Sequence, residues 1–204
     1  HIYCEEPELL LKAEAYLGIP MEILVESLSQ LVSNGQLIRN DGKLYLRDLY
    51  VAETRVAEYI SQLLVARSPF GNIAIDAAIK WATSRCGFEL SVMQNNALGM
   101  ALGSKVSIIT GGPGVGKTTI IRLLCDIWSA KKAKISLVAP TGRAARRMSE
   151  STQRTASTIH RLLKYNPQKD KFEYDATNKL ESDVFILDES SMIDVVLAAD
   201  FLSA

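Results

Sequence analysis

The sequence predicts an α/β fold in which a parallel sheet carries helices on both faces, preceded by a small α+β module. From Lys105 onward, apolar runs of strand length alternate with helical segments, the pattern of a parallel sheet covered by helices. Residues 1–49 have the pattern of two short helices followed by two strand-like runs. We therefore expect two structural parts in the 204 residues.

The first part, residues 1–49, is predicted to resemble a winged-helix module. Helices are expected over 4–17 and 21–33, where leucines and isoleucines recur at helical spacing. Two strand-like runs, 37–38 and 44–46, then flank Asn40-Asp41-Gly42, and these residues accept the positive φ angles of a hairpin turn. Two short helices followed by a hairpin are the element order of a winged helix.

The role of this module has two open interpretations. The second helix, which reads DNA in many such modules, contains Glu22 and Glu26 and neither Lys nor Arg, so phosphates would repel it. This favours a structural or protein-contact role. The alternative is DNA contact by the cations of the hairpin, which are Arg39, Lys43 and Arg47.

The second part is expected to begin after a linking segment at 50–70. A helix is predicted over 50–67, and Ser68-Pro69-Phe70-Gly71 marks the boundary before a domain covering 71–204. The elements predicted within that domain are helices 73–86 and 92–102 separated by a Gly87 cap, strand 106–110, helix 117–130, strand 134–139, helices near 142–150 and 156–164, a polar stretch 166–181 and strand 183–187.

Composition excludes several classes of protein. With 48% hydrophobic and 23% charged residues, the chain is neither disordered nor low in complexity. It lacks an apolar run of membrane-spanning length, and its first residues lack the pattern of a signal peptide, so we expect a cytoplasmic protein without a membrane partner. The three cysteines are far apart and are expected to be reduced and structural.

The net charge of zero conceals a basic region. Residues 131–171 contain 11 Lys or Arg side chains against only Glu150 and Asp170, and we call these cations the basic island. An anion-facing surface is one interpretation, and a solvated basic face is the other. The members of the basic island are Lys131, Lys132, Lys134, Arg143, Arg146, Arg147, Arg154, Arg161, Lys164, Lys169 and Lys171.

A phosphate-binding loop is the strongest motif in the chain. GGPGVGKTT, at 111–119, matches G-x-x-x-x-G-K-[ST] between an apolar strand-like run and an apolar helix, which is the context the motif requires. Its backbone N–H groups suit the β-phosphate of ATP, Lys117 suits the β/γ-phosphates, and Thr118 offers a hydroxyl to Mg²⁺. The residues expected to hold the nucleotide are Gly111, Gly112, Pro113, Gly114, Val115, Gly116, Lys117, Thr118 and Thr119.

A second nucleotide motif is expected about 70 residues downstream, where a buried strand ends in Asp188-Glu189. Asp188 is a candidate ligand for the magnesium ion that Thr118 also holds, and Glu189 is a candidate to polarise the attacking water. An acidic pair after an apolar run is often only a solvated strand end. The upstream loop makes hydrolysis of ATP the favoured interpretation, with Lys117 and Glu189 as catalytic residues.

Together with the loop, the segments DES at 188–190, VAPTGRAARRM at 138–148 and STIHRLL at 157–163 resemble superfamily 1 DNA helicases of the RecD/TraA-like branch, similar to the exodeoxyribonuclease V alpha subunit. The resemblance covers residues 50–204 and implies an incomplete RecA-like P-loop sheet, ATP and Mg²⁺ as cofactors, and a glutamine that binds adenine. Gln94 matches that glutamine. Ser91 and Gln94 also have the spacing of a capping box, and the two roles are compatible.

The resemblance also implies contact with single-stranded DNA at two places: Thr141, Gly142 and Arg143 after one strand, and Thr158, His160 and Arg161 after the next. Hydroxyls, helix starts and arginines suit phosphates without reading sequence. His160 is equally compatible with an ordinary helical position. Phe172 and Tyr174 would either stack on bases or pack a hairpin within 166–181, and the hairpin is favoured.

The family continues beyond the Asp-Glu motif with a sensor motif, a second motor domain and an arginine finger. Because none follows Ala204 and the chain starts with His1, we expect an excerpt of a 5′-3′ helicase, weakly active by itself, with nuclease or recombination subunits as possible partners. Two alternatives stay open: a P-loop ATPase that does not act on nucleic acid, and a nucleotide- or DNA-binding module without turnover.

Overall fold

The computed structural model describes residues 2–66, 70, 73–85 and 89–204. The predicted boundary Ser68-Pro69-Phe70-Gly71 lies outside these residues except for Phe70, and the predicted Gly87 cap lies outside them altogether. The chain separates into two compact units. One contains the residues up to Glu58 with Asp194–Ala199, and the other contains Tyr59–Ile193 with Asp200–Ala204. The predicted division at residues 49 and 70 stays a prediction.

The first unit combines a small antiparallel sheet with two helices. Its elements are β1 (Tyr3–Glu5), α1 (Glu6–Leu17), α2 (Met21–Ser33), β2 (Leu37–Asn40) and β3 (Lys43–Leu46), with the sheet order β1-β3-β2. The predicted hairpin forms at Asp41-Gly42, where the φ angles are 48° and 73°, as a type I′ turn requires. Strand β1 was not predicted. Proline is favoured in the first turn of a helix, so Pro7 is the signal that α1 begins near Glu6, after β1.

Two of the three hairpin cations are engaged inside this unit. The Arg39 guanidinium forms a two-point ion pair with the Glu6 carboxylate, with nitrogen to oxygen distances of 2.8 and 2.9 Å. The Lys43 ammonium lies over the Tyr3 ring, 4.3 Å from its centroid. These contacts tie the hairpin to β1 and α1, and they favour the structural interpretation of the hairpin cations over DNA contact.

The second unit begins within the helix α3 (Arg47–Val65), predicted at 50–67. Then follow α4 (Ile75–Thr83), α5 (Val92–Gly103), α6 (Lys117–Ala130), β4 (Ile135–Ala139), α7 (Gly142–Thr152), β5 (Ala156–Thr158), α8 (Ile159–Leu162), β6 (Tyr165–Asn166), β7 (Lys171–Phe172) and β8 (Val184–Leu187). A 3₁₀ turn, Ser190–Met192, leads to α9 (Val195–Ser203), which spans both units and was not predicted.

The parallel α/β fold is confirmed. Strands β5, β4 and β8 form a parallel sheet in that order. In the central strand, the successive residues Leu137 and Val138 point to opposite faces, and both are buried, so the sheet is covered on both sides. Helix α6 packs on the sheet through Leu123 and Ile127, whose cluster includes Ile186 of β8. This is the core of an incomplete RecA-like P-loop fold.

Two sequence-based assignments in this unit were wrong. The segment 106–110 was predicted as a strand. It forms none, because no strand among the described residues pairs with it through backbone hydrogen bonds. Within this segment, Ile109 packs on the core while Ile108 is exposed. The predicted helix 156–164 starts instead as β5, because pairing with β4 outweighs the helical spacing of the apolar residues.

The core also contains Cys125, a free thiol on α6 that is fully buried beside Leu137 and Met148. Burial raises the pKa of this thiol to about 11, so it stays neutral and unreactive at neutral pH.

Among the described residues, no helix combines the length and the apolar character needed to cross a bilayer.

Candidate functional site

The glycine-rich loop leads directly into helix α6. Gly114 and Gly116 have φ angles of 77° and 88°, a left-handed conformation that glycine adopts without strain. A Cβ built on Gly112 or Gly114 would meet no atom of the described residues within 4 Å, so this part of the loop is open to a ligand. No side chain in the described part of the chain caps the start of α6 at Gly116, which leaves its first N–H groups available to an anion.

Lys117 reaches back over this loop. Its ammonium donates hydrogen bonds to the carbonyl oxygens of Gly111 and Gly112 at 2.6 and 2.7 Å. The positive charge is therefore held within the loop and not in open solvent. A cation at this position, next to open N–H groups, suits the phosphates of a nucleotide.

Gln94 lies at the start of α5 and forms the predicted capping box. Its Oε1 accepts from the Ser91 N–H at 3.0 Å, and the Ser91 hydroxyl accepts from the Gln94 N–H at 3.2 Å. The side chain also reaches the glycine-rich loop, because its Nε2 donates to the Val115 carbonyl at 3.0 Å. The adenine role stays a prediction, but the structure places Gln94 against the loop that it would serve.

The acidic pair follows β8 directly. The Asp188 N–H donates to the Val138 carbonyl at 2.9 Å, which holds Asp188 in line with the sheet. The next residue, Glu189, has a φ angle of 52°, a left-handed conformation that costs a non-glycine residue about 1–3 kcal/mol. The Glu189 N–H donates to Asp188 Oδ1 at 2.9 Å. Asp188 is partly buried, and Glu189 is exposed.

These residues suit a magnesium nucleotide. Thr118 offers an exposed hydroxyl and Asp188 a carboxylate with one oxygen that does not bond to Glu189. Among the described residues, no group of three or more His, Cys, Asp or Glu side chains forms a metal cage. Magnesium is commonly held through one or two carboxylates together with substrate phosphates and water, so a single Asp and a Thr fit this chemistry.

The candidate DNA residues lie at the same edge of the sheet as Asp188. Thr141 comes two residues after β4, Thr158 ends β5, and Asp188 follows β8. Because the three strands are parallel neighbours, their carboxyl ends meet at one edge, which is where open α/β sheets bind their ligands. The sheet therefore brings the predicted magnesium ligand and both predicted DNA segments to one edge.

Both threonines cap helices. The Thr141 hydroxyl accepts from the Ala144 N–H, and the Thr158 hydroxyl accepts from the Arg161 N–H, each at 3.2 Å. In both bonds the hydroxyl oxygen is the acceptor. The hydroxyl hydrogen of each threonine can therefore still be donated to a phosphate oxygen. A Cβ built on Gly142, the first residue of α7, would lie more than 4 Å from every other described residue that it could meet, so that helix start is open as well.

His160 belongs to an aromatic group that the sequence did not predict as a unit. Its ring lies 5.6 Å from the ring of Tyr165 and 5.7 Å from that of Phe172, and those two rings are 5.2 Å apart. Phe172 thus packs within the β6–β7 hairpin, as favoured for it, while the Tyr174 ring lies under the Lys164 ammonium. The turn dipeptide Asn166-Pro167 is the signal from which the position of Tyr165 beside a hairpin could have been predicted.

The basic island is partly neutralised. Where the structure is described, four of its eleven cations are paired with carboxylates: Lys134 with Glu181, Arg146 with Glu150, Arg154 with Asp126 and Lys164 with Glu173. Within the described part of the chain, Arg143, Arg147 and Arg161 form no ion pair, and all three are exposed. The unpaired arginines thus include both that were expected to contact DNA.

Comparison with known proteins places the chain in a family. The model of the AAA domain matches residues 94–204. The ATP-dependent RecD2 DNA helicase of Deinococcus radiodurans is 37% identical over 165 residues, which are 80% of this chain and 22% of the relative. The RecBCD enzyme subunit RecD of Mycobacterium tuberculosis (strain H37Rv) is 33% identical over 188 residues, which are 81% of this chain and 31% of the relative.

A further relative, the RecBCD enzyme subunit RecD of Haemophilus influenzae, is 39% identical over 140 residues, which are 57% of this chain and 22% of the relative. The chain thus spans about a fifth to a third of the length of these relatives. The match over residues 94–204 includes the glycine-rich loop, both strand ends with candidate DNA residues, and the acidic pair. The chain therefore belongs to the AAA-domain family, in the RecD-like branch of the superfamily 1 helicases.

Proposed function

We propose that the protein is an ATP-driven motor that moves along single-stranded DNA and unwinds duplexes in the 5′ to 3′ direction. The observation that carries this proposal is the common edge of the sheet, where the ends of β4, β5 and β8 bring the candidate DNA residues and Asp188 together. The names of the relatives, which include an ATP-dependent DNA helicase, support it. The direction rests on the resemblance alone.

The roles proposed for the nucleotide residues follow from their chemistry. The loop N–H groups and the Lys117 ammonium bind the phosphates, and Gln94 reads adenine. Thr118 and Asp188 hold the magnesium ion, which when bound neutralises charge on the phosphate oxygens. Glu189, exposed directly after the magnesium ligand, orients and polarises the attacking water.

The roles proposed for the DNA residues require no base recognition. The hydroxyls of Thr141 and Thr158, the open start of α7 at Gly142, and the side chains of Arg143, His160 and Arg161 contact the backbone. A motor that must pass any sequence needs contacts of this kind. Recombination or nuclease subunits are proposed partners, since the names of two relatives reported above describe them as subunits of the RecBCD enzyme.

Direction is tested by unwinding of duplexes that carry either a 5′ or a 3′ single-stranded tail, with the intact protein and ATP. Unwinding of the 5′-tailed duplex alone is the expected result. Unwinding that requires a 3′ tail would overturn the proposed direction and leave the motor assignment standing.

Replacement of Arg143 by glutamine is expected to weaken binding of single-stranded DNA equally for all sequences. The logarithm of the binding constant falls as the logarithm of the salt concentration rises, and losing one phosphate contact makes this dependence less steep by about 0.7 for a single strand. The measurement is a DNA titration at several salt concentrations. Lys12→Gln is the control, because Lys12 is an exposed cation of the first unit that is paired with Glu8.

The competing function is an ATPase that does not act on nucleic acid. The observation that favours it is the pairing of four cations of the basic island with carboxylates, as in an ordinary solvated face. Under this alternative, Arg143→Gln and Lys12→Gln would have the same small effect on DNA binding, and the salt slope would not change.

A further inference from the structure

Gln94 connects two parts of the second unit that are far apart in the sequence. On one side its Oε1 accepts from the Ser91 N–H at 3.0 Å and completes the cap of α5. On the other side its Nε2 donates to the Val115 carbonyl at 3.0 Å, across 21 residues. The residue is partly buried. Its side chain thus forms a bridge from a helix start to the glycine-rich loop.

The bridge depends on a close approach to Gly116. A Cβ built on Gly116 would collide with the Gln94 Nε2. The amide therefore packs against the backbone of Gly116, the N-cap residue of α6, and needs a glycine there. Val115 and Gly116 immediately precede Lys117. A contact that fixes the Val115 carbonyl therefore fixes the part of the loop from which the lysine projects.

The bridge leaves half of the amide's hydrogen-bonding capacity unused. A glutamine side chain has two N–H donors and two acceptor positions, and the bonds to Ser91 and Val115 use one of each. The remaining donor and acceptor match the N7 acceptor and N6 donor of adenine. Holding the loop and reading the base therefore use different hydrogens of Nε2 and different lone pairs of Oε1.

We propose that Gln94 is a positioning residue for the glycine-rich loop, and that it serves phosphate binding whether or not a base is present. This inference rests on the proposed role of the loop in binding nucleotide phosphates. It differs from adenine recognition in one measurable respect. A residue that only reads the base has no influence on a ligand without a base, whereas a residue that shapes the loop does.

The test is the affinity of the intact protein for inorganic tripolyphosphate with Mg²⁺, measured by calorimetry next to the affinity for ATP. Loss of one neutral hydrogen bond changes a binding equilibrium by about three- to tenfold. Gln94→Ala is expected to weaken tripolyphosphate binding by that factor and to weaken ATP binding by more, since ATP also loses its base contacts.

Ser91→Ala is the matched control. It removes the hydroxyl that accepts from the Gln94 N–H and so weakens the same capping box, but it keeps the Ser91 N–H and the bond from Gln94 to Val115. We expect tripolyphosphate to bind to Ser91→Ala with the affinity of the unchanged protein. A thermal melt of both variants establishes that each is folded at the temperature of the titration.

Two results would overturn the inference. If Gln94→Ala binds tripolyphosphate as tightly as the unchanged protein and loses only ATP affinity, Gln94 reads the base alone. If Ser91→Ala and Gln94→Ala weaken tripolyphosphate binding equally, the effect comes from the helix start. Failure of the proposed function is distinguished by Lys117→Ala, since ATP binding that does not depend on Lys117 would contradict the loop assignment itself.

Discussion

Replacement of Lys117 by alanine is expected to reduce ATP turnover by about a hundredfold or more. Removing one preorganised donor to a developing negative charge typically costs about 10²–10³ in rate, and Lys117 also contributes charge to phosphate binding. Among the described residues, the Lys117 side chain bonds to the carbonyls of Gly111 and Gly112 alone, in an exposed loop, so we do not expect the fold to depend on it.

The measurement is steady-state ATP turnover by the intact protein, with a thermal melt to compare stability. Lys105→Ala is the control, because Lys105 is an exposed lysine upstream of the loop without an assigned role. A Lys117→Ala variant that turns over ATP at the rate of the unchanged protein would contradict the assignment of the loop as the nucleotide site.

Replacement of Glu189 by glutamine is expected to separate binding from hydrolysis. The change keeps the size of the side chain and removes its charge and its ability to take a proton. A positioned acid or base typically contributes about 10²–10⁴ in rate, so turnover should fall by that factor while Mg·ATP still binds. Glutamate and glutamine are branched alike near the backbone, so the substitution adds no strain to the left-handed conformation at position 189.

Turnover is measured under saturating ATP, and binding by equilibrium titration with Mg·ATP. Glu181→Gln is the matched control, because Glu181 precedes the same strand and forms an exposed ion pair with Lys134. If Glu189→Gln keeps its turnover, another group must activate the water. If it loses Mg·ATP binding instead, Glu189 serves the metal and not the water.

Local patterns predicted those elements whose signals lie within them. Helix α6 has the predicted bounds, because Gly116 marks its start and the apolar residues recur at helical spacing. The Asp41-Gly42 turn was predicted because these residue types accept positive φ. The segment 106–110 and strand β5 were assigned wrongly, since a strand is defined by its neighbours and periodicity does not reveal which neighbours are present.

The same distinction applies to the site. The glycine-rich loop and the acidic pair are recognisable because their chemistry is encoded in adjacent residues. The bond from Gln94 to Val115 and the group formed by His160, Tyr165 and Phe172 join residues across turns, so the sequence alone did not reveal them. The capping-box spacing of Ser91 and Gln94 predicted one half of the bridge only.

The decisive experiment on the proposed DNA motor is ATP turnover by the intact protein, measured with and without single-stranded DNA and with Lys117→Ala in parallel. We expect a large increase on addition of DNA, because the candidate DNA residues and Asp188 share one edge of the sheet. Lys117→Ala should remove this increase. A rate that does not respond to DNA would contradict the DNA motor and leave only the nucleotide chemistry of the loop.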